Sequence, residues 1–294
     1  MTAKAKKYAH EHLMCVVNTE LKRRPERFNG SNVSILDLGC GNGDLILLLT
    51  ENLPQLNPDF NFKIYGYDIN EHGGIKKDYL KNLILNLTNK FPQVNWSDHI
   101  KLISENDPIP FPSQFFDIII SNQVMEHVKD HPALFSELNR TLKHNGLSAH
   151  LFPFKDIIID PHINLPFIHK IINLDRRKNI IRLFSKLGLG KFHVYRKKYG
   201  YNLEEFTQEF SDYFNRLVHY INHKEILEIS RNHNFRLSYR YTANLLSNFF
   251  WGRGKKNLTY EYGFSDSPVK GLLYMSLFKY FFSITLLLDK EDSI

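Results

Sequence analysis

Apolar positions along this chain follow two rhythms. In one, short runs are apolar at nearly every position, as in Val33 to Leu38, Ile100 to Ile103 and Phe116 to Ser121. Such runs suit strands buried on both faces of a parallel sheet. In the other, apolar residues recur every third or fourth position, the spacing of a helix with one buried side. Leu13, Val16, Val17 and Leu21 predict a helix from about Tyr8 to Arg24, closed by Pro25 and Gly30-Ser31-Asn32. Tyr79, Leu80, Leu83, Ile84 and Leu87 predict another from about Gly74 to Lys90. Pro132 opens a third, with Leu134, Phe135, Leu138 and Leu142 inward and Asn145-Gly146 as its expected C-cap. Lys63 to Asp68 and Leu147 to Phe152 complete five strands. Strands and helices alternating through short loops predict a Rossmann-like, doubly wound α/β sheet with right-handed crossovers.

The alternation stops after Pro153. Residues 154–223 are expected to form a mainly helical lid over the carboxyl edge of the sheet, and 224–294 to return and complete it, after a core spanning 1–153. Within the last part, Lys224 to Asn232 reads as a helix, Phe235 to Thr242 as a strand and Gly252 to Lys256 as a loop. Gly271 to Leu288 is the most apolar stretch. It falls short of the about twenty apolar residues of a membrane span and carries Lys279, so a short helix and a core strand are expected there.

The first strand ends in Asp37-Leu38-Gly39-Cys40-Gly41-Asn42-Gly43-Asp44, and Leu45 to Leu49 resumes as a helix. Glycines let backbone turn sharply and approach a ligand, and the free N–H groups of the following helix suit an anionic group. The third glycine comes one residue early for a dinucleotide fingerprint, and no lysine supports a phosphate-binding P-loop. The spacing Asp-x-Gly-x-Gly-x-Gly instead resembles motif I of class I S-adenosylmethionine-dependent methyltransferases. The segment Ile109-Pro110-Phe111, then Phe116-Asp117, then Glu126-His127 resembles that family's fourth strand and the turn after it. The resemblance implies S-adenosylmethionine as cofactor, with Asp37, Gly39, Gly41 and Gly43 at its methionine part and Asp68 on its ribose hydroxyls. It further implies Glu105 or Asn106 at the adenine and Asn122 at the cleft. It also implies an antiparallel final strand, which Ser283 to Leu288 fits.

Composition is that of an ordinary globular protein, 43% hydrophobic and 23% charged. Net charge is +7, which permits an anionic substrate. Two cysteines, Cys15 and Cys40, form neither a disulfide framework nor a metal cluster. The basic Met1 to Lys7 is followed by no apolar h-region, so a cytoplasmic protein without a membrane span is expected.

Methyl transfer to a hydroxyl needs positioning and a base of near-neutral pKa, for which histidine is the usual residue. The two candidates are His162, in Asp160-Pro161-His162, and His127 beside Glu126. His162 is expected in a loop, and His169 in the first turns of a helix starting at Pro166. In some relatives a Glu-x-x-Glu-His motif binds a divalent metal. Here Gln123 replaces the first glutamate, so no metal is expected and Glu126 and His127 read as structural. Lys170 to Lys198 carries ten Lys or Arg against Asp175 alone. That is a solvated helical face or a clamp for a phosphorylated acceptor. The expected acceptor is a small hydroxylated metabolite or saccharide, anionic groups included, and no nucleic acid. Two alternatives remain open: an RNA methyltransferase using the basic lid, and an inactive cofactor-binding protein.

Overall fold

The computed structural model describes residues 3–28, 32–69, 78–105, 107–251, 255–256, 258–260 and 268–291. Helix α1 (Ala3–Arg23) leads to β1 (Asn32–Leu38) and α2 (Asp44–Leu56). β2 (Asn61–Ile69), α3 (Tyr79–Lys90) and β3 (Ile100–Ile103) follow, then β4 (Phe116–Asn122), α4 (His131–Thr141) and β5 (Leu142–Phe152). The chain then leaves the sheet through α5 (Leu174–Lys186), α6 (Phe192–Tyr199) and α7 (Leu203–Arg216). It returns by α8 (His223–Asn232), β6 (Phe235–Ser238), α9 (Thr242–Trp251), α10 (Pro268–Phe278) and β7 (Ile284–Lys290).

Seven strands pair in the order β3-β2-β1-β4-β5-β7-β6. β1 to β5 run parallel, and β7 is antiparallel to both β5 and β6. The sheet is thus Rossmann-like and mostly parallel, as the periodicity and the resemblance predict. Six of the seven residues of β4 are buried, which explains the apolar run Ile118-Ile119-Ile120 at its centre. The apolar tail divides into α10 and β7, and Leu286, Leu287 and Leu288 are fully buried between β5 and β6. No helix among the described residues is long and apolar enough to cross a membrane.

α1 packs across the sheet, and its polar positions find partners in distant elements. His12 bridges the Tyr260 hydroxyl at 2.6 Å and Thr285 Oγ1 at 2.7 Å. Buried Glu20 receives Arg240 at 2.9 Å, and Asp289 receives Arg27 at 2.7 Å and Arg240 at 3.3 Å. Burial alone would raise the Glu20 carboxyl, but Arg240, Arg24 and the Tyr241 hydroxyl outweigh it and hold the group below its usual range.

Helices α5 to α7 form a separate apolar cluster. On α7, Phe206, Phe210 and Phe214 are spaced four apart and buried against Ile163, Leu165, Ile168 and Ile181. Each such phenylalanine contributes roughly 1.5–3 kcal/mol by burial.

Three local expectations change. Asn145-Gly146 does not cap α4, which stops at Thr141; it is a bulge inside β5, with Asn145 at φ 61°. A Cβ on Gly146 would sit 2.9 Å from Lys143 O, so the backbone doubles back too closely for a side chain. β6 ends at Ser238 rather than Thr242, because Arg240 is drawn into the buried ion pairs and Thr242 opens α9. Lys255-Lys256 pairs with Thr259-Tyr260 as a short ribbon, while residues 252–254 of the expected loop lie outside the described residues. Of the helix expected from Gly74, residues before 78 also lie outside them.

Candidate functional site

The glycine loop lies at the carboxyl end of β1, where the N–H groups of Gly39 and Cys40 both donate to Tyr67 O on β2, at 2.9 and 3.1 Å. Gly39 has φ +72°, and a Cβ there would lie 2.5 Å from Val124 Cγ2, so only glycine fits beneath the turn after β4. Gly41 differs. Its φ is +49°, yet a Cβ would meet nothing within 4 Å, so its demand for glycine comes from the backbone conformation and not from crowding. Gly43 immediately precedes α2 and aims the first N–H groups of that helix at the loop.

Asp68, at the end of β2, accepts the Gly41 N–H at 2.8 Å and the Tyr79 hydroxyl at 3.2 Å through Oδ2. Tyr79 also donates to Gly41 O. The carboxylate therefore holds the loop as well as facing the cleft. Asp37 is buried at the end of β1 and does not line the cleft. Burial, with Asp37 and Asp68 adding to it, pushes the Cys40 thiol well above its usual pKa, which disfavours the thiolate.

A cleft of about 1330 Å³ opens along the carboxyl edge of the sheet and is lined by Gly39, Asp68, Glu105, Asn122, His127 and Tyr220 among others. Glu105 follows β3, and Asn122 ends β4 with a buried Oδ1 that has no hydrogen-bond partner among the described residues. Asn106 lies outside the described residues. The donors and acceptors at these strand ends suit a ligand carrying a carboxylate, vicinal hydroxyls and an amino group. The cofactor that the sequence resemblance implies has those groups.

At the far end of the cleft, a one-turn helix, Met125–His127, follows β4. Glu126 is fully buried and neither carboxylate oxygen has a hydrogen-bond partner among the described residues. Burial, with the nearby Asp160 charge adding to it, pushes its pKa up to about 8. His127 Nδ1 lies 2.6 Å from Leu217 O, which fixes the proton on that nitrogen. Its Nε2 lies 3.4 Å from Nε2 of His162 and 3.5 Å from the Tyr213 hydroxyl.

His162 arrives from the insertion. Ile159–Asp160 pairs with Leu165–Pro166 as a small hairpin with His162 near its tip. Pro166 thus ends a strand instead of starting a helix, and His169 lies in a single turn, Ile168–Lys170. Asp160, fully buried, accepts the His162 N–H at 2.8 Å, His162 Nδ1 at 2.9 Å and the Tyr220 hydroxyl at 2.8 Å. His169 Nδ1 lies 3.4 Å away on its other oxygen. Burial would raise this carboxyl, but the histidine contacts prevail and hold it below its usual range.

The structure therefore brings His127 and His162 together, as well as Gly39, Gly41 and Asp68. It adds Glu126, Asp160, Tyr213 and Tyr220. Asp160 has a sequence signal, since a carboxylate two residues before its own N–H partner forms an Asx turn. The tyrosines have none. The basic stretch does not converge on the cleft, which none of its ten cations lines. Arg177 is buried on Ile171 O and Ser211 O, Arg182 pairs with Glu204 at 2.6 Å, and Lys191 donates to Pro161 O.

Comparison with known proteins places these features. The family model described as a methyltransferase domain matches residues 8–238. A curated relative, the mitochondrial arginine-hydroxylase NDUFAF5 of Rattus norvegicus, is 30% identical over 112 residues. That segment is 38% of this chain and 26% of the relative, so the match spans about a quarter of the relative's length. Among solved structures, YcgJ from Bacillus subtilis aligns over 94% of this chain and 99% of its own at 12% identity and a TM-score of 0.45. Phosphoethanolamine N-methyltransferase 2 of Haemonchus contortus, in complex with S-adenosyl-L-methionine, aligns over 93% of this chain and 52% of its own, at 14% identity and a TM-score of 0.43.

Proposed function

The chain belongs to the methyltransferase domain family and is an S-adenosylmethionine-dependent methyltransferase, and from that premise we propose that it methylates an oxygen of a small hydroxylated metabolite or saccharide. The observation that carries this reading is the Asp160–His162–His127 cluster, which reaches through His127 the cleft that Gly39 and Asp68 also line.

When bound, the cofactor supplies an electrophilic methyl group on a sulfonium. The loop, Asp68 and Asn122 hold and orient it. The acceptor hydroxyl must lose its proton as the new O–C bond forms and the S–C bond breaks. Asp160 keeps the His162 proton on Nδ1, so the lone pair on Nε2, beside the cleft-lining His127, takes the hydroxyl proton. Positive charge that gathers on this cluster is stabilised by the Asp160 carboxylate. The rings of Tyr213 and Tyr220 pack beside His162, with centroids 5.2 and 6.4 Å away. The alternative acceptor, RNA, loses its support because the basic residues of the lid lie off the cleft.

The test is transfer of labelled methyl from S-adenosylmethionine to a panel of hydroxylated acceptors, sugars first. His162→Ala is expected to lower kcat by a factor of about 100 or more. A variant with near-normal turnover on a hydroxyl acceptor would remove the cluster from the chemistry.

A further inference from the structure

We propose that Glu126, His127 and His162 form a three-ligand site for a divalent transition-metal ion, with zinc(II) as the reference ion and a fourth position open to the acceptor. One carboxylate oxygen of Glu126 and one nitrogen of each imidazole all lie within 4.8 Å of one another.

The hydrogen bonds outside the cluster determine what faces into it. A carbonyl only accepts, so Leu217 O at 2.6 Å puts the His127 proton on Nδ1. The Asp160 carboxylate, at 2.9 Å, does the same for His162. Each Nε2 therefore carries a lone pair, and the two nitrogens lie 3.4 Å apart, with the Tyr213 hydroxyl 3.5 Å from that of His127. Two acceptors cannot hydrogen-bond one another, whereas one cation attracts both. The separation also fits: two nitrogens on a tetrahedral zinc, each at roughly 2.0–2.1 Å, are about 3.3–3.4 Å apart.

Glu126 supplies the third donor. It is fully buried, and neither oxygen has a hydrogen-bond partner among the described residues. A buried carboxylate needs an opposite charge, and a dication is one. Two imidazoles and one carboxylate form a known class of open, four-coordinate zinc site. The outer partners are in place as well: Asp160 and Leu217 O orient the rings, and the Tyr220 hydroxyl orients Asp160.

Gln123 takes no part. Its side chain turns away to Leu151 O and Ser283 Oγ. The third ligand comes instead from the hairpin of the insertion, 35 residues after His127. The role of the ion rests on the function proposed above. An acceptor hydroxyl at the open position would lose its proton to solvent more readily before it attacks the methyl group. His162 would then act as a ligand, and the ion would replace it as the group that activates the hydroxyl.

The experiment is calorimetric titration of chelator-stripped protein with zinc chloride, with cobalt(II) absorption as a report on ligand geometry. The expected result is one zinc per chain and a tetrahedral cobalt spectrum. Affinity should fall at least about 100-fold in His162→Gln and in Glu126→Gln, and about 10–100-fold in Asp160→Asn. Asp68→Ala should bind zinc normally while binding S-adenosylmethionine less well. No uptake by the wild-type protein, a measurement that needs no variant, would overturn the site. So would equal uptake by His162→Gln. Unchanged methyl transfer after chelation would overturn the catalytic role. A protein that takes zinc through these residues but methylates no hydroxyl would fail the functional reading and leave the site standing.

Discussion

The Gly41 N–H donates to Asp68 Oδ2 at 2.8 Å, so one carboxylate both shapes the glycine loop and faces the cleft. Replacing it should affect binding in two ways. Asp68→Ala is expected to weaken S-adenosylmethionine by about 1–3 kcal/mol, the range of charged hydrogen bonds. Calorimetric titration checks it, and unchanged affinity would mean that the carboxylate serves the loop alone.

Gly39 and Gly41 should respond differently to the same substitution. Both have positive φ, where alanine costs roughly 1–2 kcal/mol. At Gly39 the added methyl also strikes Val124, so Gly39→Ala should lower the melting temperature clearly. At Gly41 it enters open space, next to the N–H that Asp68 accepts. Gly41→Ala should fold with a small loss and bind the cofactor at least about tenfold more weakly, that is by 1.4 kcal/mol or more. Equal losses of affinity with equal losses of stability would contradict this division.

The buried ion pairs between α1, Arg240 and β7 hold the two ends of the chain together. Arg240→Ala removes one of the cations shared by buried Glu20 and Asp289, leaving Arg24 and the Tyr241 hydroxyl on the first and Arg27 on the second. A loss of about 3–5 kcal/mol in unfolding free energy is expected by denaturant titration. A loss below about 1 kcal/mol would show that Arg24 and Arg27 suffice.

His150 is fully buried beside Ser121 Oγ at 2.8 Å, and burial lowers its pKa to about 3. His12 behaves in the same way. A depressed histidine contributes stability above its unfolded pKa of about 6.5 and loses it as pH falls toward 3. Each should steepen the acid loss by about 1.4 kcal/mol per pH unit in that window. The cost of His150→Asn should therefore shrink between pH 6.5 and 4; a cost independent of pH would mean that folding leaves the pKa of the ring unchanged.

Much of the cofactor half is legible in the chain. A strand buried on both faces is mostly apolar, and the centres of β1 and β4, such as Ile118-Ile119-Ile120, are. A turn that approaches Val124 and a ligand must lack side chains, so its glycines stand out. Asn145-Gly146 misled because the same dipeptide serves a helix cap and a β-bulge, and only the proximity of Asp117 O and Lys143 O selects the second. The end of β6 was hidden for a related reason, since Arg240 obeys a buried pair with Glu20, 220 residues away.

The sequence by itself determined the sheet, the glycine loop and the acidic strand end, because each follows from local burial and backbone geometry. Only the tertiary structure decided how Glu126, His127, Asp160 and His162 act together. Their meeting depends on a hairpin and an α7 helix that pack against the end of β4, and no local pattern encodes a 3.4 Å approach across 35 residues.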